Sequence, residues 1–123
     1  MAVVMLMSTP AASGSLSGQV RMFATCTGRL SALMEHQWMF DGAASEATEA
    51  RRAGFLDILD AVRDQAEAEG INGSTLLSWR IDAKMAQAEL LQRATFARTP
   101  REKRMAEVTS QQLLTQCASL LVG

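Results

Sequence analysis

The stretch Thr99-Pro100-Arg101-Glu102, "TPRE", is a helix start written in four residues. A threonine hydroxyl accepts from the backbone N–H three positions on. Proline suits the first helical position, where an N–H has no intrahelical partner, and glutamate at the third position completes a capping box. A helix running from here to about Val122 requires the preceding one, about Ser74 to Ala97, to stop just short of it. Two long helices joined by so short a connection must run antiparallel.

The same punctuation recurs toward the N-terminus. Gly70-Ile71-Asn72-Gly73-Ser74 supplies a C′ glycine, an Asn-Gly turn and Ser74 as N-cap. A second helix therefore ends at Gly70; it begins near Ser45, with Glu46 and Glu49 in the first turn, where acids suit the helix dipole. Asp41-Gly42 closes a first helix that starts near Ser17. The chain has 2 prolines, no tyrosine and few β-branched residues, and no stretch alternates with period two for long enough to be a strand. The expected fold is all-α: an antiparallel up-down-up-down four-helix bundle over residues 16–123, preceded by an apolar segment, residues 1–15. A chain of 123 residues supports one such core and not two.

Helical wheels place the core. In the first helix Val20, Phe23, Thr27, Leu30, Met34 and Trp38 share a stripe. In the second, Phe55, Leu59, Val62 and Ala66 oppose Glu49, Asp57, Asp60 and Asp64. In the fourth, Ala106, Leu113, Cys117 and Leu120 cluster. Cys26 lies early in the first helix and Cys117 late in the fourth, so antiparallel neighbours bring them to the same height, within about one turn. Both also sit on or beside an apolar face. A Cys26–Cys117 disulfide is expected, with two small buried thiols as the alternative.

The third helix is different. Leu76, Trp79, Ala83, Ala86 and Leu90 form one apolar set; Leu77, Ile81, Ala88 and Leu91 form another. Arg80, Lys84 and Gln87 run between them. A helix apolar on both flanks is expected to be contacted from two sides. Arg80 and Lys84 then either snorkel to water along the groove or, with Gln87, line a pocket for a small anion.

Met34-Glu35-His36-Gln37-Trp38-Met39-Phe40 holds the single histidine. His36 and Met39 are the candidate soft-metal ligands, since imidazole and thioether suit Cu(I). His36 lies about 160° from the face shared by Met34 and Trp38, so one straight helix does not aim all four at one ion. The expectation is an ordinary helix end with Trp38 packed inward and His36 outward.

Other chemistries fail on inventory. A di-iron bundle needs two Glu-x-x-His motifs, a c-type haem needs Cys-x-x-Cys-His, and no phosphate-binding glycine loop occurs. No cofactor and no catalytic residue is assigned. The net charge is -1 and provides no field for nucleic acid. Charge is nevertheless uneven: Glu46 to Glu69 is acid-rich, and Arg98, Arg101, Lys103 and Arg104 form a basic cluster. Internal complementarity with Glu46 and Glu49, at the same bundle end, is expected.

The N-terminal "AVVMLMSTPAASGS" resembles the latter part of a secretory signal, though no Lys or Arg precedes Arg21. It is too short to span a bilayer. Together these features predict a periplasmic or secreted, non-catalytic helical binding protein with an unknown protein or small-molecule partner and no transmembrane segment. The alternative is an envelope carrier of a small ligand or Cu(I). A cytoplasmic location follows if the apolar segment is not a leader.

Overall fold

The computed structural model describes residues 15–121; the leader-like segment lies almost wholly outside them. The described chain forms helices α1 (Leu16–Phe40), α2 (Gly42–Ala61), α3 (Arg63–Ala68), α4 (Gly73–Phe96) and α5 (Pro100–Leu121). The four long helices alternate in direction as an up-down-up-down bundle, and a Cys26–Cys117 disulfide joins α1 to α5. No described helix is long and apolar enough to cross a membrane.

Local chemistry explains the boundaries. Ser15 caps α1 by accepting from the Gly18 N–H at 3.1 Å. Asp41 serves two helices at once: its N–H donates to the Gln37 carbonyl at the end of α1, and its carboxylate accepts from the Ala44 N–H at the start of α2. The second expected helix bends at Val62, which gives the short α3 its own label. The break is shallow, because the Val62 N–H still reaches the Ile58 carbonyl at 3.1 Å.

Gly70 then adopts φ 86°, a left-handed conformation that suits glycine. With Ile71 N–H donating to Ala66 O and Gly70 N–H to Glu67 O, both at 2.9 Å, the end of α3 is a Schellman motif. Ile71 packs in the same buried cluster as Ala66. Asn72, not Ser74, caps α4, accepting from the Thr75 N–H at 2.9 Å. Thr99 accepts from the Glu102 N–H at 3.1 Å, so the threonine arm of the expected capping box is present.

The packing order departs from a square bundle. α1 is the central element, packing most extensively on α4 and α2, while α5 leans chiefly on α4 and meets α1 mainly around the disulfide. Because α1 and α4 run in the same direction, the tightest pair is parallel. Small residues permit it: Ala24, Gly28 and Ala32 recur every four positions along the buried side of α1. A Cβ built on Gly28 would collide with the Arg80 backbone carbonyl and lie 3.0 Å from the Ala83 Cβ. The α1–α2 seam is polar near the end of α1, where Ser45 Oγ donates to Met34 O at 2.8 Å and Arg52 Nε donates to Ser31 Oγ at 2.7 Å; further along, Phe55 and Leu59 of α2 pack on Phe23, Leu30 and Val20 of α1.

The expected apolar stripe of α1 is therefore only part of its buried surface, since Ala24, Cys26, Gly28, Ser31 and Ala32 are buried too. Its outer end is corrected: Trp38 is 78% exposed. α2 descends along the Met34 and Gln37 side of α1, leaving Trp38 over the open gap between α2 and α4.

These contacts set two expected outcomes. Gly28→Ala gains roughly 1 kcal/mol of helix propensity, yet it must push α4 away and is expected to lose about 1–3 kcal/mol net in urea melts. Gly54→Ala, whose added carbon meets only Leu121 at 3.8 Å, is expected to gain about 0.5–1 kcal/mol. Equal effects at both positions would contradict the close α1–α4 approach.

The disulfide spans 91 positions with a Cα–Cα distance of 5.5 Å. Replacing both cysteines by alanine is expected to cost about 4 kcal/mol and to steepen the urea dependence, because the denatured chain expands. An unchanged slope and midpoint would show that the bridge does not constrain the unfolded state.

Candidate functional site

The polar strip of α4 separates into three environments. Gln87 is fully buried and donates through Nε2 to Ser110 Oγ of α5 at 2.8 Å, while its Oε1 has no hydrogen-bond partner. Lys84 is pinned by Glu35 of α1 at 2.7 Å in a partly exposed ion pair. Arg80 lines a cleft of about 650 Å³ between the lower half of α2, α3 and the start of α4. Thus the three residues do not converge on one ligand: Gln87 joins α4 to α5, Lys84 pairs with α1, and Arg80 faces the cleft beside α2.

The Arg80 side chain has no hydrogen bond or ion pair within the described residues. Desolvation by burial lowers its pKa first, and repulsion from Arg52 of α2 lowers it further. Neither effect deprotonates a guanidinium in water. Arg52 is held in place by Ser31, whose own hydroxyl donates to the Thr27 carbonyl at 2.9 Å. Asp57, Asp60 and Glu67 line the same cleft as Arg80 but none pairs with it; Asp60 is taken by Arg63 at 2.6 Å.

Sequence reasoning treated the strip as flanked by two buried apolar sets. The structure inverts one of them. Leu77 and Ile81 are 51% and 49% exposed, and Met85, one turn further, is 65% exposed. Only Leu91 of that set is buried. The physical reason is that α1 and α5 contact α4 on adjacent sides, with α1 lying over the strip itself. The Leu77 side is left to solvent.

His36 and Met39 both line a shallow hollow at the upper end of α1, with Glu35, Trp38, Ala88, Leu91 and Gln92. The His36 ring packs on Phe40 at 5.0 Å between centroids. Among the described residues no three His, Cys, Asp or Glu side chains gather as a metal set. The basic cluster Arg98, Arg101, Lys103 and Arg104 makes no ion pair with Glu46 or Glu49 among the described residues, contrary to the expected complementarity.

No family model, no curated protein and no solved structure matches this chain. Its site must be argued from its own residues.

Arg29 was invisible to sequence reasoning. Its guanidinium crosses from α1 to α5 beside the disulfide, donating to Leu113 O and Gln116 Oε1, each at 3.1 Å. Burial lowers its pKa. No motif marks such a residue, because its partners include a main-chain carbonyl 84 positions away.

The orphan oxygen of Gln87 gives a clear expectation. Gln87→Met fills similar volume and removes an unpaired buried acceptor, so it is expected to be neutral or to stabilise by about 1–2 kcal/mol. Chemical denaturation measures it. A loss of more than about 1 kcal/mol would mean that the Gln87–Ser110 bond outweighs the unpaired oxygen.

Proposed function

We propose that this chain is an exported, non-catalytic binding protein that docks a helix of a partner protein along the outer face of α4. The observation that carries it is the stripe Leu77, Ile81 and Met85, spaced i, i+4, i+8 and half or more exposed. That spacing matches the ridge by which one helix seats in another's groove. The stripe continues toward Phe96 at the end of α4 and toward Trp38 and Met39 of α1, which are also exposed. A single exposed leucine is unremarkable; three exposed apolar residues on successive turns of one helix, on a bundle whose interior holds buried Thr27, Thr48, Ser45 and Gln87, are not.

Charge selects the partner's orientation. Arg80 and Lys84 precede Ile81 and Met85 by one position each and border the stripe on one edge, so the fitting partner carries apolar residues on one face and acids along one edge. Export is supported by the Cys26–Cys117 bridge, since such bonds persist in oxidising compartments.

A designed amphipathic peptide of about 20 residues, leucines at i, i+4, i+8 and glutamates along one edge, provides the test by fluorescence anisotropy. It is expected to bind the wild type, and Ile81→Glu and Met85→Glu are expected to abolish binding while moving the urea midpoint little, because both side chains are exposed. A lysine-edged peptide is expected to bind more weakly. Binding that survives both substitutions, or sedimentation showing that the face is instead occupied by a second copy, overturns the proposal.

A further inference from the structure

α1 and α4 finish, and α2 and α5 begin, at one end of the bundle. Met39 and Gln92 line one hollow there, so Phe40 and Phe96, the last residues of α1 and α4, lie within about one turn, roughly 5 Å, in height. Phe40 is 62% exposed, Phe96 71%, and Met105, early in α5, 60%. Phe96 and Met105 share a second hollow with Arg98. Three large apolar side chains, one from each of three helices, are thus bare at one level.

The same end is basic. Arg98, Arg101, Lys103 and Arg104 are exposed, and none forms an ion pair among the described residues. The acids are set back or engaged. Ser45 Oγ donates to Met34 O, which places Glu46 and Glu49 of α2 roughly 9 Å or more below Phe40. Glu35 and Glu89 are paired with Lys84 and Arg93. Asp41 and Glu102 do lie at this end, each at a helix N-terminus: Asp41 accepts from the Ala44 N–H, and Glu102 sits in the first turn of α5. Four cations therefore outnumber two acids here, on a chain whose net charge is -1.

We propose that this end of the bundle docks on a bilayer surface rich in anionic lipid. The four cations meet headgroup phosphates, and Phe40, Phe96 and Met105 enter the boundary beneath them. Cations surrounding bare apolar side chains are the composition of an interfacial anchor. A nucleic acid fits less well, because methionine offers no ring for a base to stack on and the cations crown a blunt end rather than track a groove. Of these residues only Phe96 also borders the α4 docking stripe, and Met85 lies about 16 Å below it. A partner helix and a bilayer are thus served by different surfaces.

Flotation of the full chain with vesicles tests the proposal. One set is phosphatidylcholine alone; the other contains roughly one-third phosphatidylglycerol. Wild type is expected to float with the anionic set only, and to bind at least about tenfold more weakly at high than at low sodium chloride. Arg101→Gln combined with Arg104→Gln is expected to weaken binding by about tenfold or more, and so is Phe40→Ser combined with Met105→Ser. All four side chains are exposed, so thermal melts are expected to match wild type. Should the cation pair fail to fold, Arg98→Gln combined with Lys103→Gln gives the same reading. Ile81→Glu combined with Met85→Glu, more than a Debye length away, is expected to float as wild type does, which separates this surface from the helix-docking face.

No flotation, or equal flotation with neutral vesicles, overturns the proposal. Full binding by either double variant at this end does so as well. A single-stranded oligonucleotide that binds wild type more tightly than the anionic vesicles, through the same arginines, assigns the cations to nucleic acid and overturns the lipid reading.

Discussion

The contact between Gly28 of α1 and the Arg80 carbonyl of α4 sets the spacing of the whole bundle. Two parallel helices approach so closely only where one presents no side chain. Once they meet, α1 becomes the middle of the structure, with α2 along one flank and α5 along another. Every polar group of the candidate site is placed by that choice. Arg80 lies beside the seam because its own backbone is part of it, and Lys84, one turn on, falls within reach of Glu35.

A tight seam of small residues has a cost in apolar burial. Alanine and glycine contribute little transfer free energy compared with leucine or phenylalanine. The buried set includes Phe55, Val20, Leu30 and Leu59, but also Thr27, Thr48, Ser31, Ser45 and Ser110. The hydroxyls remain tolerable because they bond within the structure: Thr27 donates to Phe23 O at 2.8 Å and Ser31 to Thr27 O at 2.9 Å. Cross-linking and close packing together offset what a larger apolar core supplies elsewhere. The same economy leaves Leu77, Ile81 and Met85 outside, since no further helix among the described residues covers that side of α4.

Elements with local causes were legible in the sequence. Gly70 and Thr99 act where their residue types say they should, because caps and left-handed turns depend only on the nearest few residues; Asp41, expected only to close α1, also caps α2, which starts at Gly42 rather than near Ser45 and so has no acid in its first turn. The Cys26–Cys117 pairing was legible too, as equal heights on antiparallel helices follow from counting. The placement of Trp38 was not. A wheel shows which side of a helix is apolar, not whether a neighbour extends far enough to cover its last turn. The strip of α4 failed for a related reason. Its three members share a face, yet Gln87 goes to α5, Lys84 to α1 and Arg80 to a cleft, according to which helix stands opposite at each height.

The bridge between Cys26 and Cys117 has a topological consequence. It turns most of the molecule into a covalent ring, with α2, α3, α4 and all the connections inside it. A single backbone cut anywhere in that ring, such as between the exposed Asn72 and Gly73, opens the ring without releasing a fragment. The two pieces stay joined through sulfur, and the Phe55 cluster around the bridge keeps α1, α2 and α5 at high local concentration for one another. Such a cut is a wound rather than a severance.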